Sequence, residues 1–218
     1  MKKHIVCFGD SNTHGYCADP ADCADGGDRF NEDERWTCLL QRALGGEYLV
    51  LEEGLSGRTT VFPDPLHESM AGLDVIYSTL MSHEPVDLLI IMLGTNDTKY
   101  RLGANAACIG IGMERLVMKA KTVPAWRGGK PNILVIAPPH IGEGLYLRPE
   151  GEPMGPGCPE KSRGVAAHFA AVAQRQDCAF LDAEGVAEFN KLDCMHLTRL
   201  GHRQLAERLG ALVPELLG

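Results

Sequence analysis

The stretch Ile5-Val-Cys-Phe-Gly-Asp-Ser-Asn12 decides the fold. Four apolar residues in succession, Ile5 to Phe8, read as a strand covered on both faces, since a half-exposed strand would alternate apolar with polar. The run stops at Gly9 and Asp10 and is followed at once by a hydroxyl, Ser11. A strand that ends this way delivers the next residues to the rim of a sheet. There Ser11 is either the cap of the following helix, a role in which serine is favoured, or a group presented for chemistry.

Working outward, similar apolar runs occur at 4–8 (HIVCF), 48–52 (YLVLE), 86–93 (VDLLIIML), 132–137 (NILVIA) and 178–182 (CAFLD). Helix-period segments lie between them. Ile109, Met113, Leu116 and Val117 fall on one stripe of residues 104–120, and Leu205, Leu209, Leu212 and Leu216 form another near the C-terminus, with Thr198 placed to cap that last helix. Strand alternating with helix over the whole length predicts an α/β fold, a three-layer α/β/α sandwich of about five parallel strands forming a single domain over residues 1–218. Two irregular stretches interrupt the pattern, 16–33 and the Pro- and Gly-rich 138–160. Long loops in a compact domain tend to be functional, and these two are placed to wall a pocket or to meet a neighbouring subunit.

Composition narrows the function. A chain of 218 residues, 44% hydrophobic and 23% charged, is large enough to bury a substantial core. Its formal net charge of -8 and lack of any basic cluster argue against nucleic acid as a partner. The N-terminal MKKHIVCFGD has an apolar run too short for a signal peptide or a membrane span, which points to a cytoplasmic protein with no membrane partner. Eight cysteines with no CxxC pair read as reduced thiols. No zinc spacing, Walker loop or GxGxxG fingerprint occurs, Gly110-Ile-Gly112 failing at Arg115, so neither a metal nor a cofactor is expected.

In open parallel sheets, ligands bind beyond the carboxyl ends of the strands. The segments there are Gly9-Asp10-Ser11-Asn12, Gly54-Leu-Ser-Gly-Arg-Thr-Thr60, Gly94-Thr-Asn-Asp97 and, a short segment after the fifth run, Asp193-Cys-Met-His196. Together they hold a hydroxyl, glycine-flanked backbone donors, a side-chain amide and an imidazole with a carboxylate three residues before it, which is an inventory for acyl transfer. A serine hydroxyl needs a base within hydrogen-bond reach, and the base needs a third group to fix its tautomer. Ser11, His196 and Asp193 can fill these roles. The backbone N–H groups of Ser11 and Gly57 and the amide of Asn96 are the candidate oxyanion donors.

These blocks, GDSN at 9–12, Gly57 within GLSGRTT, GTND at 94–97 and DxxH at 193–196, resemble the successive blocks of the GDSL family, subgroup SGNH hydrolases. The resemblance implies that Ser11, Gly57, Asn96 and His196 are the four signature residues, that Asp193 completes a triad, and that the strand order is the flavodoxin-like 2-1-3-4-5. CFGDSNTHGY, ERWT at 34–37, EEGLSGRTT at 52–60 and IIMLGTNDTK at 90–99 look closer still to the mycobacterial arylesterase and acyltransferase branch. That likeness implies a serine carboxylic-ester hydrolase for small, notably acetyl, esters, able to pass the acyl group to other acceptors, and a homo-oligomer. Carbohydrate acetylesterase, thioesterase and lysophospholipase activities remain alternatives. Position 12 departs from the family name, being Asn where the name has Leu, and 138–160 does not match the branch.

Each residue also has a plainer reading. Asn96 and Asp97 suit a turn, and Gly57 suits a positive φ. His202 reads as a helix-surface residue and His14 as a surface histidine. Arg58 reads as the structural partner of a carboxylate, Trp36 as core, and Cys7 as an inert buried thiol. Asp193, Cys194, His196 and His202 lack the convergent ligands and second shell of a zinc site. The whole rim also suits a non-enzymatic binder of a small anion or sugar.

Overall fold

A computed structural model describes residues 1–218. Its five strands, β1 (Lys3–Gly9), β2 (Tyr48–Gly54), β3 (Leu88–Met92), β4 (Ile133–Ala137) and β5 (Ala179–Asp182), form one parallel sheet in the order β2-β1-β3-β4-β5. Each sequence run became a strand. The 86–93 run is trimmed at both ends, because Val86 forms an isolated bridge to Trp126 and Leu93-Gly94 already turns toward the rim.

The continuous apolar runs follow from helices on both faces. Ile5 and Cys7 of β1 point into one core with Leu88, Ile90, Leu134 and Ile136, covered by α2 (Trp36–Leu44) and α7 (Arg199–Leu217). Val6 and Phe8 point into the other with Leu89, Ile91 and Val135, covered by α3 (Gly72–Ser82), α4 (Ala106–Thr122) and α6 (Cys158–Arg175). Alternate side chains thus leave water on opposite faces, so no position from Ile5 to Phe8 is free to be polar. The stripe Ile109, Met113, Leu116 and Val117 is fully buried on α4, and Trp36 is buried as core. Thr198 caps α7, its side chain accepting from the Gly201 N–H at 3.0 Å. All eight cysteines are free thiols, and Cys7 is buried in β1.

The stretch 138–160 is partly helical, with a 3-10 turn at Glu143–Leu147 and the single turn α5 (Gly151–Met154). It packs on the segment carrying His196: the Gly142 N–H donates to the Cys194 carbonyl at 2.8 Å. A Cβ on Gly144 would come within 2.8 Å of the Cys194 sulfur, which accounts for glycine there. No helix is long and apolar enough to cross a membrane.

Candidate active site

β1 ends at Gly9, where a Cβ would lie 2.0 Å from Thr13 Oγ1. Glycine therefore lets the chain fold straight back into the single turn α1 (Ser11–His14). The cap of that turn is Asp10, whose Oδ1 accepts the Asn12 N–H at 3.0 Å. With the capping role taken by its neighbour, the Ser11 hydroxyl is left free at the rim.

The imidazole of His196 meets it. His196 Nε2 lies 2.8 Å from Ser11 Oγ, and Nδ1 of the same ring is hydrogen-bonded to Asp193 Oδ2. The Asp193-x-x-His196 spacing closes a tight turn in which the other carboxylate oxygen, Oδ1, accepts the backbone N–H groups of Met195 and His196, both at 3.1 Å. Cys194 adopts φ +61° to close that turn. Burial by itself raises the Asp193 pKa, but the bonds from the His196 ring and from these two N–H groups outweigh it and hold the carboxyl below its ordinary value. Asp193 is therefore ionised, and a negative carboxylate at Nδ1 keeps the proton on that nitrogen and the lone pair of Nε2 toward the serine. Tyr16 packs its ring against His196, centroids 4.6 Å apart.

Ser11, Gly57 and Asn96 line one cleft with a cavity volume of about 280 Å³. Asn96 opens the 3-10 turn Asn96–Thr98 beyond β3, and its Nδ2 is buried with no partner in the protein. An unpaired buried donor is costly, so a donor left free at the mouth of a cleft is suited to an incoming oxygen. Gly57 takes φ +93°, a conformation that disfavours a side chain. Neither Ser11 nor Gly57 gives its N–H to another backbone group. All five residues expected at the site, Ser11, Gly57, Asn96, Asp193 and His196, line this cleft.

Several surroundings were not legible in the sequence. Lys99 and Arg101 form one wall, both bound to the buried carboxylate of Asp64, at 3.0 Å from Lys99 Nζ and 2.7 Å from Arg101 Nη2. Glu150 and Met154 also line the cleft, as expected for the irregular 138–160 stretch. Asp97 is not a simple turn residue: it is wholly buried and accepts the Thr60 N–H at 2.9 Å and the Thr60 hydroxyl at 2.5 Å.

Two expectations are corrected. His202 is not on the helix surface. It is fully buried, with Nδ1 accepting the Trp36 N–H at 3.2 Å, because the face of α7 that carries it packs on α2. Arg58 does not pair with a carboxylate; its guanidinium lies 4.2 Å above the Phe8 ring and donates to the carbonyls of Gly9 and Glu53, pinning the ends of β1 and β2. His14 is half-buried and lies outside the cleft lining. No group of three His, Cys, Asp or Glu side chains is arranged to hold a metal ion.

Comparison with known proteins gives the same picture. No curated protein sequence matches the chain. Among solved structures it is similar to the M. smegmatis aryl esterase, with 36% identity and a TM-score of 0.88, covering 99% of this chain and 100% of that one. It is also similar to Est24, a carbohydrate acetylesterase from Sinorhizobium meliloti, with 32% identity and a TM-score of 0.87 over 99% and 100% of the two chains. A lipase/acylhydrolase from Enterococcus faecalis, 19% identical with a TM-score of 0.67 over 98% and 94%, shares the fold. The model of the GDSL-like lipase/acylhydrolase family matches residues 7–204, nearly the whole chain. With that match spanning the sheet and every strand-end block, the chain belongs to the GDSL-like lipase/acylhydrolase family.

Proposed function

We propose that the protein is a serine ester hydrolase acting on small acyl esters, acetyl esters foremost, through an acyl-enzyme. The observation that carries this reading is the 2.8 Å approach of His196 Nε2 to Ser11 Oγ while Asp193 engages the other ring nitrogen. In the first half-reaction Ser11 Oγ forms a bond to the acyl carbon as its proton passes to His196 Nε2. The carbonyl electron pair moves to oxygen, where the N–H groups of Ser11 and Gly57 and the Asn96 amide receive it. The imidazolium, stabilised by Asp193, then gives its proton to the leaving alkoxide as the C–O bond breaks. In the second half a water, or an alcohol in acyl transfer, loses its proton to His196 and attacks the acyl-serine, and the proton returns to Oγ as the acid or new ester departs.

The small cleft supports a short acyl group. Similarity to an aryl esterase and a carbohydrate acetylesterase supports ester over thioester or phospholipid substrates. The resemblance of CFGDSNTHGY, EEGLSGRTT and IIMLGTNDTK to the arylesterase and acyltransferase branch supports a homo-oligomer in which a neighbouring copy narrows the cleft. The test is turnover of p-nitrophenyl acetate with labelling by a fluorophosphonate. Ser11→Ala is expected to lose both; retained turnover overturns the proposal. Reversible ligand binding with no adduct on Ser11 would favour the non-enzymatic binder. A panel of acetyl-sugar, longer-chain and acyl-CoA substrates assigns the acyl preference.

A further inference from the structure

We infer that Asn12 is a positioning residue that sets the place of His196 relative to Ser11, an inference that rests on the ester-hydrolase reading. Asn12 is 1% exposed, and each of its polar groups is engaged. Its backbone N–H is bound by Asp10 Oδ1 at 3.0 Å, and its carbonyl accepts the Trp36 indole N–H at 3.1 Å. The side chain is thereby held from α1 and from α2 before it reaches anything else.

That side chain crosses to the segment carrying His196 and grips it on both sides of the histidine. Asn12 Nδ2 donates to the Met195 carbonyl at 3.3 Å, and Asn12 Oδ1 accepts the Leu197 N–H at 2.9 Å. Apart from the Ser11 to His196 bond itself, these two bonds are the hydrogen bonds that join the nucleophile turn to residues 193–197. The remaining bonds of that segment are internal or run elsewhere: Asp193 Oδ1 holds the backbone of 195 and 196, and the His196 carbonyl accepts the Asn190 N–H at 2.8 Å. Those bonds shape the turn but do not fix its distance from Ser11.

A primary amide suits this task because one planar group carries a donor and an acceptor side by side. Leucine, the residue of the family name, can fill the space but leaves the Met195 carbonyl and the Leu197 N–H unpaired where both residues are buried. In this chain the nucleophile's own neighbour takes the place of apolar packing with a two-point polar clamp. Misplacement of a catalytic group by about 1 Å can cost roughly 100-fold in rate, so the clamp acts on kcat through His196.

The experiment compares Asn12→Leu in the wild-type and His196→Ala backgrounds, with p-nitrophenyl acetate turnover and melting temperature measured for each. The expected result is a fall in kcat of about 10- to 100-fold with KM within about twofold, and no further loss where His196 is already gone. An equal fold-loss in both backgrounds, or an unchanged kcat, overturns the inference. If Asn12→Leu does not fold, Asn12→Asp, matched in size and lacking the donor to Met195, reads the same cycle. Amide exchange at Leu197 reads the clamp without substrate: faster exchange in the variant at unchanged global stability is expected, and unchanged protection overturns it. Ser11→Ala separately decides the ester-hydrolase reading.

Discussion

Thr60 and Asp97 tie the loop that carries Gly57 to the turn that carries Asn96: the Thr60 N–H reaches Asp97 Oδ1 at 2.9 Å and its hydroxyl reaches the same oxygen at 2.5 Å. The two candidate oxyanion donors outside α1 are therefore spaced by one buried carboxylate. Burial pushes the Asp97 pKa up to about 6, with the Thr60 bonds opposing the rise. Because the folded protein holds this proton more tightly than the unfolded chain, stability is greatest below about pH 4 on this account and declines as pH rises to about 6. Asp97→Asn keeps an acceptor for the Thr60 N–H and is expected to flatten this decline in denaturant melts across that range. Asp97→Ala strands both Thr60 donors and is expected to destabilise by about 1–3 kcal/mol.

Asn96→Ala is expected to lower kcat for p-nitrophenyl acetate by about 10² to 10³ while leaving KM little changed, since a donor that meets only the oxyanion acts on the transition state. The buried Nδ2 with no partner in the protein motivates this split. Equal effects on kcat and on ground-state binding would assign the amide to substrate recognition.

Asp193→Asn preserves shape but replaces the anion facing His196 Nδ1 with a group able to turn its amide toward the ring. The favoured tautomer then reverses, and turnover is expected to fall by about 10⁴. Fluorophosphonate labelling of Ser11 should slow in parallel.

His202 makes the fold sensitive to acid. Burial pushes its pKa down to about 3, so the folded state resists a proton that the unfolded chain accepts near pH 6.5. Its stabilising contribution is present above about pH 6.5 and is lost progressively as pH falls toward about 3. His202→Phe leaves the Trp36 N–H unpaired, so it should cost about 1–3 kcal/mol at neutral pH. The variant should also show a shallower loss of melting temperature between those pH values.

Glu52 contributes in the same direction from the far side of α2. Burial raises its pKa, but Arg35, bound to both carboxylate oxygens at 3.0 Å, and Thr37 bring it down to about 2. That stabilisation is present above about pH 4.5 and lost as pH falls toward about 2. Glu52→Gln is therefore expected to lower the melting temperature at pH 7 and to converge with wild type in strong acid.

Strands, layers and the five rim residues were readable from the chain alone, because burial on both faces writes a continuous apolar run and because chemistry in an open sheet collects where the strands end. Ile5 to Phe8 identified β1 without knowledge of what covers it, and the short spacing of Asp193 and His196 made their contact a local matter. What the tertiary structure alone decided is how residues 185 positions apart meet, as Ser11 does with His196 and Asn12 with Leu197. It also decided which polar side chains go inside. His202 and Asp97 look like ordinary surface or turn residues in sequence and Arg58 like a partner for a carboxylate, yet all three are buried because distant elements supply their partners. Hydrogen bonds across such separations leave no periodic trace, since a partner's identity depends on where the other chain segment packs and not on what lies beside the residue in sequence.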